Sequence, residues 1–337
     1  MNASIESSQS SEPAGVEVTR FIPVPSSISG KAQEFLSMGL GMGGAGAGEP
    51  DHNDVDAWRT LIKATDELMV AAMDMMPVST PSTVEKTMVG DVPVFVLTPE
   101  GVGEGPDEPI FLDIHGGALV MGGGDACAVL ARQTAGMVRR KTWSVDYRMP
   151  PDHPYPAALD DCIAVYRSLL EQRPAERIIV GGGSAGGNLA AALMLRARDE
   201  GLPLPAVLIL LTPEADLTES GDSFRTNLGL DPVLQTSLGE SIALYAGDHD
   251  LTHPYLSPLF GDYTPPFPPT FIQGGTRDLF LSNSVRMHRK LRAAGVEAEL
   301  HIWEAMPHGG FFGAPEDAEI GTEVRRFVAK HLGEAPS

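Results

Sequence analysis

The chain of 337 residues is long enough to bury a sizeable core, as one large α/β domain or as two smaller ones. Its formal net charge of −21 excludes nucleic acid and anionic membrane surfaces as favoured partners, because the protein's own field repels both. Cys127 and Cys162 lack a Cys-x-x-Cys or Cys/His pattern, so the sequence predicts neither a disulfide framework nor a metal site. With no basic leader and no apolar run of membrane-spanning length, we expect a cytoplasmic protein.

The N-terminal part combines flexible and helical stretches. Residues 1–20 are rich in Ser and Glu and predict a mobile segment, while the glycines at 39–50 predict a linker. The stretch KAQEFLSM between them predicts a short helix. Over 51–76 the apolar residues recur every three to four positions, which predicts an amphipathic helix whose Met-rich face lines an apolar cleft or packs in the core. That face comprises Trp58, Leu61, Ile62, Leu68, Met69, Met73 and Met76.

Strands and helices alternate from residue 81 onward. A hairpin across a Gly-Asp turn comes first, and helices then alternate with short, strongly apolar strands. This alternation predicts the α/β class, with a mostly parallel sheet covered by helices on both faces. Residues 217–262 interrupt the pattern with polar, turn-rich sequence. We expect that insertion to stand above the carboxyl edge of the sheet, where ligands bind in open α/β folds.

The stretch RIIVGGGSAGGNL at 177–189 indicates a buried strand, a tight turn and a helix. Gly182, Ser184 and Gly186 fit G-x-S-x-G, in which a strained serine stands clear of the backbone and only glycine-sized neighbours fit between strand and helix. The adjacent helix N-terminus favours a developing oxyanion. A phosphate-binding loop is the alternative, but G-x-x-x-x-G-K-[ST] is absent. The pattern therefore predicts Ser184 as a nucleophile.

A serine nucleophile needs a base, and an acid that orients the base. Of the nine histidines, His308 is the best placed, because it follows the last predicted strand and the two glycines after it leave the loop free to move. Asp278 follows the preceding strand at the same edge, and the chain order Ser, Asp, His is typical of this architecture. Asp216 and Glu304 are the alternative acids, and loop capping is the alternative role for Asp278.

An oxyanion hole needs two or three backbone N–H groups aimed at one point. The glycine loop at 113–124, DIHGGALVMGGG, follows a strand directly, so we predict Gly116 and Gly117 as donors together with Ala185, the residue after the nucleophile. His115 is a candidate second base, but its position favours a structural role in which the ring bonds to nearby backbone and supports the loop.

Several separate motifs resemble, in order and spacing, the hormone-sensitive-lipase-like esterases, a family of bacterial carboxylesterases with plant relatives. The motifs are HGGAL at 115–119, DYRMPPDHPYPAALDD at 146–161, GGSAGGNLA at 182–190, PYLSPLF at 254–260, TRDLFLS at 276–282 and MPH at 306–308. The resemblance implies an α/β-hydrolase fold with a mostly parallel eight-stranded sheet and a helical cap. It also implies hydrolysis of small esters with short to medium acyl chains through an acyl-enzyme, without a cofactor. Carried over onto the matching positions, Ser184 is the nucleophile, Asp278 the acid and His308 the base.

The resemblance further implies a division of the chain. Residues 1–80 form the mobile N-terminus and cap helices, 81–216 and 263–337 form the two parts of the hydrolase core, and 217–262 form the cap insertion. Two positions depart from the family pattern. Ala118 replaces the usual third loop glycine, which affects the shape of the loop and of the alcohol side of the pocket, and Gly183 replaces the usual Asp or Thr.

Other functions of the same fold stay open. A lactonase, an amidase or a thioesterase would use the same three side chains, since fold does not fix chemistry. A non-hydrolytic receptor, a role that some plant relatives have, is disfavoured because His308 is present, and a dehydratase-like lyase is disfavoured because Ser184 is intact. Members of this family often form dimers through the last strand and final helix, so the resemblance also implies a homodimer of that kind.

Overall fold

The computed structural model describes residues 15–39, 48–76, 80–103, 105 and 107–335. Most of the segment predicted to be mobile, 1–14, lies outside these residues, and so does most of the predicted linker, 40–47. The short helix predicted between the two is present as α1 (Gly30–Gly39).

Eight strands of the described chain form one sheet. They are β1 (Ser82–Val89), β2 (Val92–Pro99), β3 (Ile110–Ile114), β4 (Lys141–Val145), β5 (Ile178–Gly183), β6 (Val207–Leu211), β7 (Thr270–Gly275) and β8 (Ala298–Trp303). Their order across the sheet is β1-β2-β4-β3-β5-β6-β7-β8. β2 runs antiparallel to β1 and to β4, and the other neighbouring strands are parallel. The predicted hairpin and the predicted mostly parallel sheet are both confirmed.

One helix, α2 (Val55–Asp74), precedes the first strand, and helices follow the strands from β3 onward. The latter are α3 (Asp125–Val138), α4 (Ala157–Gln172), α5 (Ala185–Asp199), α6 (Ser223–Thr226), α7 (Gly239–Ala246), α8 (Leu281–Ala293) and α9 (Pro315–Leu332). Cys127 in α3 and Cys162 in α4 are free, buried thiols, as expected of small apolar side chains. In the part of the chain that the structure describes, no helix has the length and apolar character needed to cross a membrane.

The central strands direct alternate side chains to two separate cores, because successive residues of a strand point to opposite faces. Leu112 and Val180 pack in the core that includes residues of α4, α5 and α8. Phe111 and Ile179, one position earlier in each strand, pack in the core that includes residues of α1 and α9. Since helices cover both faces, the carboxyl edge of the sheet is where loops from different strands meet.

The amphipathic prediction for α2 is correct in part. Trp58 is fully buried, and its indole N–H donates to the carbonyl oxygen of Asp51 at 3.2 Å. Leu68, which the periodicity places on the same apolar face, is instead 69% exposed, and Met75 after the helix is 87% exposed. The prediction for Leu68 is wrong because Thr65, Asp66, Met69 and Val70 are the half-buried residues at this level of α2, so Leu68 lies off the side of the helix that packs.

The interruption of the alternating pattern falls between β6 and β7, and this connection includes α6 and α7. Two acidic groups join its helix α7 to the N-terminal part of the chain. The carboxylate of Glu49 accepts hydrogen bonds from the backbone N–H and the hydroxyl of Ser241. Nδ1 of His52 lies 2.9 Å from Oε2 of Glu240. The N-terminal region and the insertion are therefore in direct contact.

Candidate active site

The turn between β5 and α5 has the geometry that its glycines predict. Ser184 lies at φ 56° and ψ −122°, a strained conformation for a residue with a side chain. A Cβ on Gly182 would lie 2.4 Å from the carbonyl oxygen of Gly186, and a Cβ on Gly186 would lie 1.9 Å from the carbonyl oxygen of Ile114. Only glycine fits at these two positions, and they allow α5 to start directly behind Ser184.

Three of the predicted site residues meet at the carboxyl edge of the sheet. Nε2 of His308 lies 2.8 Å from Oγ of Ser184, and Nδ1 of His308 lies 3.1 Å from Oδ1 of Asp278. Ser184 follows β5, Asp278 follows β7 and His308 follows β8. His308 is 6% exposed and Asp278 is fully buried. A carboxylate on Nδ1 favours the tautomer that carries its proton there, which leaves Nε2 as an acceptor for the serine hydroxyl.

Opposing effects set the pKa of His308. Burial lowers the pKa of the imidazole. The charge and hydrogen bond of Asp278, together with the charge of Asp231, more than offset this effect, so the pKa of His308 lies above its ordinary 6.5. Asp278 is itself held in place, since its Oδ1 also accepts from the N–H of Phe280 at 2.8 Å. The side-chain amide of Asn227 donates to the Asp278 carbonyl oxygen at 2.9 Å. The two carboxylates therefore make the His308 imidazole a stronger base than an ordinary histidine.

The alternative acids have other surroundings. Asp216 is fully buried, and its carboxylate accepts from the hydroxyl of Ser220 at 2.7 Å and from Arg286 at 2.6 Å. Burial raises the pKa of Asp216. The hydrogen bonds to its carboxylate more than offset this effect, so the pKa of Asp216 lies below its ordinary value. Glu304 is exposed. Within the described residues neither carboxylate is hydrogen-bonded to His308, so the geometry favours Asp278 over both.

The glycine loop after β3 lies against the nucleophile turn. A Cβ on Gly116 would come within 3.0 Å of the Gly183 carbonyl oxygen and 3.4 Å of the Ser184 Cβ, so the loop backbone passes beside the serine. Gly117 has a φ of 130°, and a Cβ there would lie 2.0 Å from a backbone oxygen, which makes glycine necessary. No hydrogen bond found among residues 15–39, 48–76, 80–103, 105 and 107–335 uses the N–H of Gly116, Gly117 or Ala185. These N–H groups are therefore available to an acceptor.

The contacts of His115 favour a structural role over a second base. Nδ1 lies 2.8 Å from the carbonyl oxygen of Gly116, to which it donates. The ring stacks on Tyr147 with centroids 4.1 Å apart, and the Tyr147 hydroxyl donates to the His115 carbonyl oxygen at 2.9 Å. Burial lowers the pKa of His115 to about 4, so the ring is neutral near pH 7. A neutral ring bonded to its own loop backbone holds the shape of that loop.

Comparisons with known proteins show the family to which this fold belongs. Residues 111–312 match the model of a family described as alpha/beta hydrolase fold. Carboxylesterase NlhH of Mycobacterium tuberculosis is 33% identical over 280 residues, which cover 76% of this chain and 86% of that protein. The crystal structure of an esterase named E25 aligns with a TM-score of 0.86 at 35% identity, covering 95% of this chain and 100% of that one. A hormone-sensitive lipase from a metagenome library aligns with a TM-score of 0.77 at 32% identity, covering 89% and 98%.

The chain belongs to the hormone-sensitive-lipase-like carboxylesterases of the α/β-hydrolase superfamily. The resemblance seen in the motifs is thereby confirmed, and the esterase departs from the family pattern at two positions near Ser184. Ala118 adopts a φ of 50°, a left-handed conformation that costs a residue with a side chain about 1 kcal/mol relative to glycine. Gly183 is different, because a Cβ there would meet nothing closer than 3.8 Å. Glycine is not sterically required at that position of the esterase.

Asp231 is a residue of the esterase site that the sequence reasoning missed. It lies in the insertion, it is 1% exposed, and Oδ2 of its carboxylate accepts from the backbone N–H of His308 at 3.0 Å. The surrounding sequence, NLGLDPVL, carries only the ordinary signal of a turn, an Asp-Pro pair close to glycine. Its position depends on how the insertion folds back onto the sheet, which no local pattern predicts.

Helix α2 contacts the glycine loop of the esterase directly. Oδ1 of Asp66, on α2, accepts from the backbone N–H of Gly122 at 2.8 Å. A Cβ on Gly122 would lie 2.8 Å from Nδ1 of His115, so the bonded glycine packs against the histidine that supports the loop. The N-terminal region is thus tied to the loop that borders Ser184.

Proposed function

We propose that this esterase hydrolyses carboxylic esters with short to medium acyl chains by a serine mechanism that passes through an acyl-enzyme. The observation that carries the proposal is the 2.8 Å contact between Nε2 of His308 and Oγ of Ser184, with Asp278 on the opposite ring nitrogen. A base within hydrogen-bond distance of a serine hydroxyl, and oriented by a third group, is the arrangement that activates such a nucleophile.

In the proposed mechanism Oγ of Ser184 attacks the ester carbonyl carbon while Nε2 of His308 takes the hydroxyl proton. The bond from that carbon to the alcohol oxygen then breaks, and His308 gives the proton to the leaving alcohol. Water attacks the acyl-enzyme with His308 again as base, which releases the acid and restores the serine. Asp278 holds the imidazole in the required tautomer and stabilises the imidazolium at each stage.

We propose the N–H groups of Gly116, Gly117 and Ala185 as the oxyanion hole. The closeness of Gly116 to Ser184 supports this assignment, as does the absence of competing hydrogen bonds to these three groups among the described residues. Ala185 adds the N-terminal end of α5, where partial positive charge favours a developing oxyanion. Removing one such donor typically costs about 3 kcal/mol of transition-state stabilisation. We assign His115 and Ala118 to support of the loop.

We propose that residues 1–80 and 217–262 form a cap on a hydrolase core made of 81–216 and 263–337. Contacts of Glu49 and His52 with α7, and of Asp66 with the glycine loop, support a joint structure over the site. The half-buried Met69 and Met73 lie on the same helix as Asp66, and in this proposal they line an apolar cleft beside the glycine loop. An adaptable thioether lining suits acyl chains of varied length.

A serine-directed phosphonate tests the nucleophile. The phosphonate should add covalently to Ser184 and abolish hydrolysis of p-nitrophenyl butyrate, with the modified peptide identified by mass spectrometry. Ser184→Ala should be neither labelled nor active, and Asp278→Asn should lose orders of magnitude in kcat while remaining folded. Full hydrolysis by the phosphonate-treated protein with Ser184 unmodified would contradict the proposal.

A series of p-nitrophenyl esters from acetate to dodecanoate, with matched lactones, amides and thioesters, tests the substrate class. We expect kcat/KM to be highest for short to medium acyl chains and the oxygen esters to exceed the other classes. A burst of p-nitrophenol equal to the enzyme concentration would report the acyl-enzyme. Preference for lactones, amides or thioesters would assign the same side chains to that reaction instead.

The structure also bears on assembly. β8 is an edge strand of the sheet, and its Ile302 is 37% exposed. Because an edge strand has unpaired backbone groups that a second strand can bind, we propose a homodimer through β8 and α9. A monomeric mass by light scattering, unchanged across concentration, would contradict the dimer.

The cytoplasmic location expected from the sequence stays a prediction, which fractionation of producing cells tests.

A further inference from the structure

A second buried carboxylate, that of Asp231, lies beside the loops that carry Asp278 and His308. Its two oxygens accept four backbone N–H groups. Oδ1 takes those of Val233 at 2.8 Å and Leu234 at 3.1 Å, and Oδ2 takes those of His308 at 3.0 Å and Leu279 at 3.2 Å. One oxygen therefore shapes the turn in the insertion, and the other joins the loop after β7 to the loop after β8.

This set of partners requires an acceptor-only side chain. A carboxylate offers two oxygens with about four acceptor positions, and four N–H groups occupy them here. An asparagine would turn its NH2 group toward two N–H donors and leave them unsatisfied. The charge of the Asp231 carboxylate also interacts with the charges of Asp278 and His308. Burial and then the charge of Asp278 raise the pKa of Asp231 to about 6.

We propose that Asp231 is a positioning residue of the esterase, which holds the Asp278 and His308 loops together from the insertion and uses its negative charge to favour the imidazolium formed during catalysis. The inference rests on the proposed function for its kinetic consequences. The hydrogen bonds through Oδ2 explain how two loops from different strands keep a fixed distance. Two buried charges, those of Asp278 and Asp231, act on His308 and both favour its protonated form.

The test is Asp231→Asn, read out on the resting protein and during turnover. The pKa of His308, followed by NMR of histidine-labelled protein, should fall, because one of the two carboxylates that raise it has lost its charge. The acidic limb of kcat/KM should move to lower pH by the same amount, about half a unit or more. We expect kcat to fall about 10-fold or more and KM to stay within about twofold, since the hydrogen bonds of the Asp231 carboxylate are to protein backbone N–H groups.

Two further variants separate charge from structure. Asp231→Glu keeps the charge and should keep the acidic limb near its original pH. Asp317→Asn is the matched control: its carboxylate accepts the backbone N–H groups of Phe311, Gly313 and Ala314, and it is not among the charges that act on His308. We expect this control to lower stability without moving the pKa of His308. If Asp231→Asn does not fold, Asp231→Ser, which leaves room for water, should show the same shift.

An unchanged His308 pKa and an unchanged kcat in Asp231→Asn would overturn the inference. So would an equal shift of the His308 pKa in Asp317→Asn, because the effect would then be a general loosening of the loop. Failure of the proposed function is distinguishable, since it shows as a wild-type protein that hydrolyses no ester, whereas the NMR measurement on the resting protein needs no substrate.

Discussion

Neighbouring glycines in the nucleophile turn have opposite steric surroundings. A Cβ on Gly182 would lie 2.4 Å from backbone atoms of Gly186, which cannot move without displacing α5. A Cβ on Gly183 would meet its nearest atom, the Leu211 carbonyl oxygen, at 3.8 Å, an ordinary van der Waals contact. The same substitution at adjacent residues should therefore have opposite consequences for the position of Ser184.

Gly182→Ala should abolish measurable ester hydrolysis and lower the melting temperature, because the methyl group forces strand and helix apart at the serine. Gly183→Ala should retain activity within about threefold and raise stability by about 0.5 kcal/mol, since it reduces the entropy of the unfolded chain without strain. Thermal unfolding and p-nitrophenyl butyrate hydrolysis measured on both variants check the contrast. Equal damage by the two substitutions would show that the turn excludes any side chain, contrary to the distances given above.

At the scale of elements, the sequence predicts what is local and misses what depends on how distant segments dock. The strand, turn and helix around Ser184 follow from residues adjacent in sequence, and Asp278 and His308 follow from the rule that loops after parallel strands share one edge. Asp231 has no comparable signal, because its contacts depend on the path of the insertion between β6 and β7. The prediction for Leu68 fails because apolar periodicity does not show that Thr65 and Asp66, rather than Leu68, lie on the side of α2 that packs.

The link between α2 and the glycine loop gives a prediction for an element remote from the chemistry. Asp66→Asn should lower kcat/KM for p-nitrophenyl butyrate by roughly 5- to 10-fold, because the amide is a weaker acceptor for the Gly122 N–H and the loop beside Ser184 loses a charged anchor. Asp56, on the same helix, is the control: its side chain is 96% exposed and pairs with Arg59 at 3.4 Å. Asp56→Asn should leave kcat/KM unchanged. Equal values of kcat/KM in the two variants would contradict a role of α2 in the function of the loop.

At the scale of the whole molecule, the net charge of −21 coexists with carboxyl groups buried in the core. Burial first, then the charges of Glu219 and Glu49, raises the pKa of Glu214 to about 8. Burial also raises the pKa of Asp113 to about 6, although the Ser144 hydroxyl donates to it. Such groups fold most easily in their protonated form, so they make the stability of the molecule fall as the pH rises.

Glu214 gives the sharpest case, because it has the highest pKa of these carboxyl groups and its Oε2 is buried without a hydrogen-bond partner in the described structure. Its ordinary pKa is 4.5, so as the pH rises from 4.5 to about 8 the unfolded chain releases a proton that the folded protein retains. The contribution of Glu214 to wild-type stability therefore declines across that window. Glu214→Gln cannot titrate. Its free energy of unfolding should therefore rise relative to the wild type between about pH 5 and about pH 8, as measured by urea unfolding at both values. Glu85→Gln, at an exposed position, is the control and should show no such trend. A difference in unfolding free energy between wild type and Glu214→Gln that stays constant from about pH 5 to about pH 8 would contradict the prediction, because Glu214 would then not titrate differently in the folded and unfolded states.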